Sequence, residues 1–498
     1  MGFAVATGHP LTTETAEVVL RDGGTAVDAC IAAACTAFVV EPVLAQPLGG
    51  GFLMVAPVNE EPVLLDGFVQ TPAGRVTEGD LDLATITVDF GTALQDFHIG
   101  AGTVAAPCLM PALYAAQRRY GRLRWSDLVA PAVAHGRTGF EVVAAQARVA
   151  ELVMPILAAD AAVSDIFAPG GVAPLAGDRA ANPGLADVLE VMASEGLRFV
   201  TEGEVAQGLL DLPGTGLTAR DLAEAHPVWR RPLAVQRAGR QVRLNPPPSL
   251  GGVQIALALE ALGPSASPPE VARAFFEVAA LRQSEALDAE PETAARLLAP
   301  ERVAALRDVL NNHRAAVRGT THISVIDAAG MGAALTLSNG EGCGRLIPGT
   351  GIVPNNMLGE EDLVPGGPTA WVPGRRLASM MCPSVVRDPD GGLSVLGSGG
   401  SNRIRSAMTT VLLGLVDHGW NPEEAVDAPR MHVEGGGLSF EDTGGAARRE
   451  ALIDSWPDAV VWDAPNFYFG GVHIAQRAAE GAVSAAADAR RGGMAATG

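Results

Sequence analysis

Gly319-Thr320-Thr321-His322-Ile323-Ser324-Val325-Ile326-Asp327 runs into Ala328-Ala329-Gly330, and a second run, Ala334-Leu335-Thr336-Leu337-Ser338-Asn339-Gly340-Glu341-Gly342, follows. Ile323 and Val325, then Ala334, Thr336 and Ser338, recur at every second position, with Gly330 at the reversal. That spacing predicts a β-hairpin followed by a Gly-rich loop. Two threonines open the first strand, directly after a glycine. Taken alone, Thr-Thr-His-Ile-Ser-Val is also an ordinary half-buried strand, because β-branched residues are common there. A threonine hydroxyl is a poor nucleophile unless a base stands beside it. Breaking the peptide bond before Thr320 would place a new α-amino group within a few bonds of the Thr320 hydroxyl. The ordinary pKa of such an amine, about 7.7–8.0, suits a base at neutral pH. One residue would then carry both nucleophile and base.

The composition of the whole 498-residue chain limits what surrounds this hairpin. It is 48% hydrophobic and 18% charged, with 59 glycines and only 5% aromatic residues, a globular composition built on small side chains. A net charge of −21 argues against non-specific binding to nucleic acid or to an anionic membrane. The five cysteines, at 30, 35, 108, 343 and 382, lack metal-ligand spacing and read as reduced, buried thiols. No metal site and no cofactor are expected. The apolar run Ala29 to Val40 is too short to span a bilayer. No basic segment precedes a hydrophobic one in the manner of a secretory signal, so a cytoplasmic location is expected. Residues 2–57 read as strand, helix, helix, strand. Thr12 or Thr13 is the expected cap of the first helix, which stops at Gly23-Gly24, and the second helix starts at Ala26. Gly49-Gly50-Gly51 reads as a tight turn into a strand. Residues 112–207 read as largely helical, 268–310 as surface helices, and Arg302 to Arg318 as a polar, mobile lead-in to Gly319.

Several segments resemble the γ-glutamyltranspeptidase family of N-terminal-nucleophile hydrolases. They are Thr320-Thr321-His322, Gly23-Gly24-Thr25-Ala26-Val27-Asp28-Ala29, Val40-Glu41-Pro42 through Phe52, Arg375 to Pro383, Leu396-Gly397-Ser398-Gly399-Gly400-Ser401, and the closing Asp488-Ala489-Arg490-Arg491. They occur in the family's order over nearly the whole chain. The resemblance implies an α+β fold, a four-layer αββα sandwich. It implies self-cleavage between Gly319 and Thr320, giving parts 1–319 and 320–498 that remain interleaved in one domain. Thr320 would be the nucleophile, Ser338 the second catalytic hydroxyl, and Gly399 and Gly400 the oxyanion donors, since adjacent glycines let backbone N–H groups face one space. Asn339, Asn356, Glu360 and Ser379 would bind substrate. His322 reads as a residue that orients its strand, and Asp327 as a turn cap.

The implied activity is that of a self-processing transferase or hydrolase acting on γ-glutamyl amides such as glutathione or its conjugates. The implied partner is a small-molecule amide, and a homodimer of processed heterodimers is the assembly open to it. The family's carboxylate-clamping arginine is missing, however: Phe68 and Val69 stand in that stretch, with Arg75 nearby. A guanidinium grips a carboxylate with two parallel hydrogen bonds that no other side chain reproduces. Ala378 replaces one of two serines, Gly340 replaces an asparagine that a one-residue shift would restore as Asn339, and Met357 replaces a polar contact. Two alternatives follow: an acylase for another acyl group, such as a glutaryl or antibiotic-type amide, and an unprocessed, non-catalytic binding protein. The stretch between Leu363 and Arg375 is too short and Pro/Gly-rich for a long lid.

Overall fold

Asp327 closes the hairpin and ties it to the rest of the chain. Its Oδ1 accepts the N–H groups of Ala329 and Met331, each at 3.0 Å, and Gly330 takes the positive φ, +94°, that the reversal requires. Its Oδ2 accepts the Ala26 N–H at 3.0 Å, a carboxylate at the positive end of the helix Ala26–Val40. The computed structural model describes residues 2–89, 94–284, 319–364 and 366–498. In it the hairpin pairs Thr321–Ile326 with Gly332–Ser338 in the register Thr321↔Leu337, Ser324↔Ala334.

The hairpin is the middle of a seven-stranded antiparallel sheet. Its order is Met494–Thr497, Ala4–Thr7, Thr321–Ile326, Gly332–Ser338, Gly50–Ala56, Val63–Gly67, Val228–Arg230. A second antiparallel sheet runs Val483–Ala487, Gly471–Arg477, Leu393–Gly399, Ser384–Arg387, Arg240–Leu244, Leu233–Arg237. Both sheets mix strands from either side of Gly319. Alternation along the strands builds the layers. Ile323, Val325, Leu335 and Leu337 face the first helical layer, where Ala26–Val40 is buried on all sides. Phe52, Met54, Ile326 and Ala334 face the second sheet at Val395, Leu396 and Ile474. The helices Leu250–Ala261, Pro268–Ser284 and Arg403–Val416 cover the far side of that sheet. The result is the expected α+β sandwich of four layers, αββα.

Some local readings are corrected. The first helix, Pro10–Arg21, begins before Thr12: His9 is its cap, with Nδ1 accepting the Leu11 N–H at 3.1 Å, and Pro10 supplies the first turn's φ. The Thr12 and Thr13 hydroxyls turn instead to Thr7 Oγ1, at 2.5 and 2.8 Å. The expected turn into a strand is present, closing where the Gly49 N–H donates to the Gln46 carbonyl at 3.0 Å, and the glycines are also a point of close approach. A Cβ on Gly49 would lie 2.4 Å from the Ser338 carbonyl oxygen, and Gly50 and Gly51 already belong to the strand beside the hairpin. The cap of the second helix is Thr25, in a reciprocal pair with Asp28. Residues 112–207 are largely helical, as expected. The lead-in from Arg302 to Arg318, and the surface helices expected beyond Ser284, lie outside the described residues. Among the described residues no helix is long and apolar enough to cross a membrane.

Candidate active site

Period two sends the paired threonines to opposite faces of the sheet. Thr321 turns towards the helical layer, where its hydroxyl donates to Glu41 Oε2 at 2.9 Å. Thr320 shares the inter-sheet face with His322, Ser324 and, across the hairpin, Ser338. The peptide before Thr320 is held at both ends. The Gly319 carbonyl accepts the Thr320 hydroxyl at 2.8 Å and the Ser338 hydroxyl at 2.7 Å. Ser338 Oγ itself accepts the Gly340 N–H at 3.0 Å. The Gly319 N–H donates to Glu341 Oε1 at 3.1 Å. Two hydroxyl donors on one carbonyl polarise it, and one of them belongs to the neighbouring threonine.

This peptide forms one wall of a recess of about 360 Å³, the open solvent at its mouth included. Phe68, Met357, Leu363, Met380, Met381 and Ile404 make it apolar; Ser379, Ser401, Glu360 and Asp362 are its further polar side chains. Among the described residues no lysine, arginine or histidine lines it. Phe68 stacks on Phe52 with ring centroids 5.4 Å apart. The two arginines of this neighbourhood whose contacts bear on a clamp are engaged elsewhere. Arg75 donates to the carbonyls of Thr369 and Trp371, at 3.0 and 2.9 Å. Arg376 donates to the carbonyls of Phe68 and His226 and lies 3.7 Å from Asp66.

The residues singled out from sequence are therefore only partly brought together. Gly319, Thr320, Ser338, Glu360 and Ser379 line one recess. Gly399 and Gly400 do not line it but lie behind Thr320: a Cβ on Gly399 would fall 2.1 Å from the Thr320 carbonyl oxygen. Gly400 has φ +123° and packs on Gly470. Asn339 and Asn356 turn away from the recess. Asn339 Nδ2 donates to the Val353 carbonyl at 3.1 Å, and Asn356 Oδ1 accepts the Glu341 N–H at 2.9 Å. The one-residue shift that would bring Asn339 into the place of Gly340 does not occur. Gly340 has φ +67°, and a Cβ there would sit 2.1 Å from Asn356 Oδ1. His322 is enclosed between Thr336 Oγ1 at 2.7 Å and Ser324 Oγ at 2.9 Å. Burial and the neighbouring His473 hold its imidazole far below the usual range, and so neutral. Burial pushes all five cysteine thiols up, so none is a ready thiolate.

Two carboxylates beside the paired threonines had been given no role: Glu341, and Glu41 at the end of the helix Ala26–Val40. Both stood inside quoted motifs, but their contacts cross 22 and 280 residues of sequence. Burial pushes the Glu41 carboxyl up to about 7, against the opposing pull of the Thr321 hydroxyl. Between about pH 4.5 and 7 the folded chain holds a proton there that the unfolded chain has released. Stability contributed by this site therefore falls as pH rises through that window. The amide of Glu41→Gln keeps an acceptor without the charge. Its stability relative to the unsubstituted chain should grow by about 2–3 kcal/mol from pH 5 to pH 8. Urea unfolding at the two pH values checks this; a difference independent of pH contradicts it.

Comparisons with known proteins give the family. The family model described as Gamma-glutamyltranspeptidase matches residues 12–498. The "Acylase ACY 1 proenzyme" of Pseudomonas sp. (strain SE83) is 27% identical over 482 residues, spanning 90% of this chain and 86% of that protein. The "Glutathione hydrolase proenzyme" of Bacillus subtilis (strain 168) is 26% identical over 476 residues, spanning 86% and 80%. The crystal structure of cephalosporin acylase from Bacillus halodurans superimposes with a TM-score of 0.85 at 24% identity, covering 99% of this chain and 95% of that one, a likeness of fold. The chain is thus an enzyme of the gamma-glutamyltranspeptidase family.

Proposed function

We propose that the chain breaks its own Gly319–Thr320 bond and then uses Thr320 as the N-terminal nucleophile of an amide hydrolase or acyltransferase. The observation that carries this reading is the Gly319 carbonyl held between the Thr320 and Ser338 hydroxyls. Thr320 Oγ1 reaches the Gly319 carbonyl carbon through a five-membered ring, and Ser338 Oγ–H holds the developing oxyanion. The C–N bond breaks, the nitrogen takes the proton, and an ester joins Gly319 to Thr320 Oγ1. Water then hydrolyses the ester, giving residues 1–319 and 320–498. Strands from both parts interleave in both sheets, so the parts stay together.

In the mature enzyme the Thr320 amine takes the hydroxyl proton as Oγ1 attacks a substrate amide. The amine passes that proton to the leaving nitrogen, and water or an acceptor amine resolves the acyl-enzyme. Gly399 and Gly400 are the oxyanion donors the family resemblance implies, each such donor contributing about 3–4 kcal/mol in the transition state, but they lie behind Thr320 and outside the recess; within it, the Ser338 hydroxyl is the donor beside Thr320.

The acyl group best matched to the recess is apolar and carries no carboxylate. Phe68 stands where a clamping arginine is implied, the recess walls are largely apolar, and its charged side chains are Glu360 and Asp362. A relative is named as an acylase, a name that leaves the acyl group open. A γ-glutamyl amide such as glutathione is the second reading. It is favoured by the Glu360 carboxylate, which suits an ammonium group, and by relatives named glutathione hydrolase. Comparing hexanoyl, γ-glutamyl and glutaryl p-nitroanilides separates the two. A carboxylate buried without a partner loses several kcal/mol. The hexanoyl compound should therefore exceed the glutaryl one in kcat/KM by about 10²-fold or more. Preference for the γ-glutamyl anilide would establish the second reading instead.

A further inference from the structure

Glu341 grips the residue that must be cut. It is 4% exposed, three residues past Ser338 in the loop that follows the hairpin. Its Oε1 accepts the Gly319 N–H at 3.1 Å, while Ser338 Oγ donates to the Gly319 carbonyl at 2.7 Å. Between them, the Gly340 carbonyl oxygen lies 2.8 Å from where a Gly319 Cβ would be, and Leu44 Cδ2 lies 3.1 Å from it. The loop itself is fixed from behind: the Glu341 N–H donates to Asn356 Oδ1 at 2.9 Å, and the Asn356 N–H donates to the Asn339 carbonyl at 3.4 Å. Residues 338–341 thus hold the Gly319 carbonyl, its Cα and its N–H at once.

We propose that Glu341 is a positioning residue for maturation: by holding the Gly319 N–H it sets the rotation of the scissile carbonyl, so that its carbon faces Thr320 Oγ1. The inference rests on the self-cleavage proposed above. In that step Thr320 Oγ1 gains the Gly319 acyl group, the Thr320 nitrogen keeps the electron pair of the broken bond and takes the hydroxyl proton, and water later supplies OH to Gly319 and H to Oγ1. Glu341 exchanges no proton in either step.

A misplacement of about 1 Å at a reacting centre costs about 10²-fold, so the reach of the side chain should matter more than its charge. Freshly purified unsubstituted chain and the variants Glu341→Gln, Glu341→Asp and Glu341→Ala would be incubated and the 320–498 fragment followed by intact mass. Glu341→Gln keeps an acceptor at the same reach and should mature within about threefold of the unsubstituted chain. Glu341→Asp keeps the charge but falls short by one methylene, and should be slowed about tenfold or more, as should Glu341→Ala. Glu341→Asp and Glu341→Gln remain informative if Glu341→Ala fails to fold. Equal maturation rates in all four, or Glu341→Asp matching the unsubstituted chain while Glu341→Gln does not, would overturn the inference and leave self-cleavage standing. An unsubstituted chain that never cleaves would overturn self-cleavage itself, and this inference with it.

Discussion

Thr320→Ala is expected to remain a single chain of 51.1 kDa through prolonged incubation, and to release no acyl group from any anilide. The substitution removes the oxygen that attacks Gly319 and one of the two hydroxyls on the Gly319 carbonyl. Ser338 and the loop behind it stay in place, but polarisation without a nucleophile breaks no bond. Loss of a nucleophile in comparable hydrolases costs about 10⁶-fold in kcat. Thr320 sits where the strand begins and makes no ladder pair of its own, so the variant should melt within a few degrees of an uncleaved reference. Thr320→Ser should keep cleavage and turnover, because it keeps the oxygen and loses only a methyl group. Activity surviving in Thr320→Ala would assign the chemistry to another residue.

Gly399→Ala is the second large effect. The strand Leu393–Gly399 passes so close to Thr320 that a methyl group would lie 2.1 Å from its carbonyl oxygen. Both partners are backbone, Gly399 at the end of one sheet's strand and Thr320 directly before the other's, so neither can swing aside as a side chain would. Restoring ordinary contact needs a withdrawal of about 1 Å, and a displacement of that size costs about 10²-fold in rate. Maturation and turnover should both fall by at least that factor, measured by intact mass and by anilide release. Unchanged rates in a folded Gly399→Ala variant would remove Gly399 from the site.

The hairpin was legible because its information is local: alternation, the glycine at the reversal and Asp327 before it lie within twenty residues. The same alternation separates Thr320 from Thr321 onto two faces without reference to the remainder of the fold. The helix Ala26–Val40 was legible from Gly23-Gly24 before it and from its Ala-rich run, although its cap, Thr25, was not singled out. The first helix was misjudged by one turn, because a histidine capping through its ring nitrogen, followed by proline, outranks a threonine three residues on. The roles of Glu41 and Glu341 were not legible, since each acts across a long sequence separation through one hydrogen bond. The orientation of Asn339 and Asn356 was hidden for a related reason. Both are polar residues in a loop beside the site, and only the packing of Gly340 against Asn356 shows that the pair holds backbone and does not face the recess. The apolar wall was half legible: Phe68 announced a lost arginine, but Met380, Met381 and Ile404 joined it from distant segments.

The central claim is that a peptide bond held by two hydroxyls breaks to expose a threonine. N-terminal sequencing of the folded, incubated protein after separation on a denaturing gel tests it most directly. Two bands are predicted, the smaller beginning Thr-Thr-His-Ile-Ser and corresponding to residues 320–498. A single undivided 51.1 kDa chain that nevertheless hydrolyses its amide, or a cut at any other bond, would contradict the account.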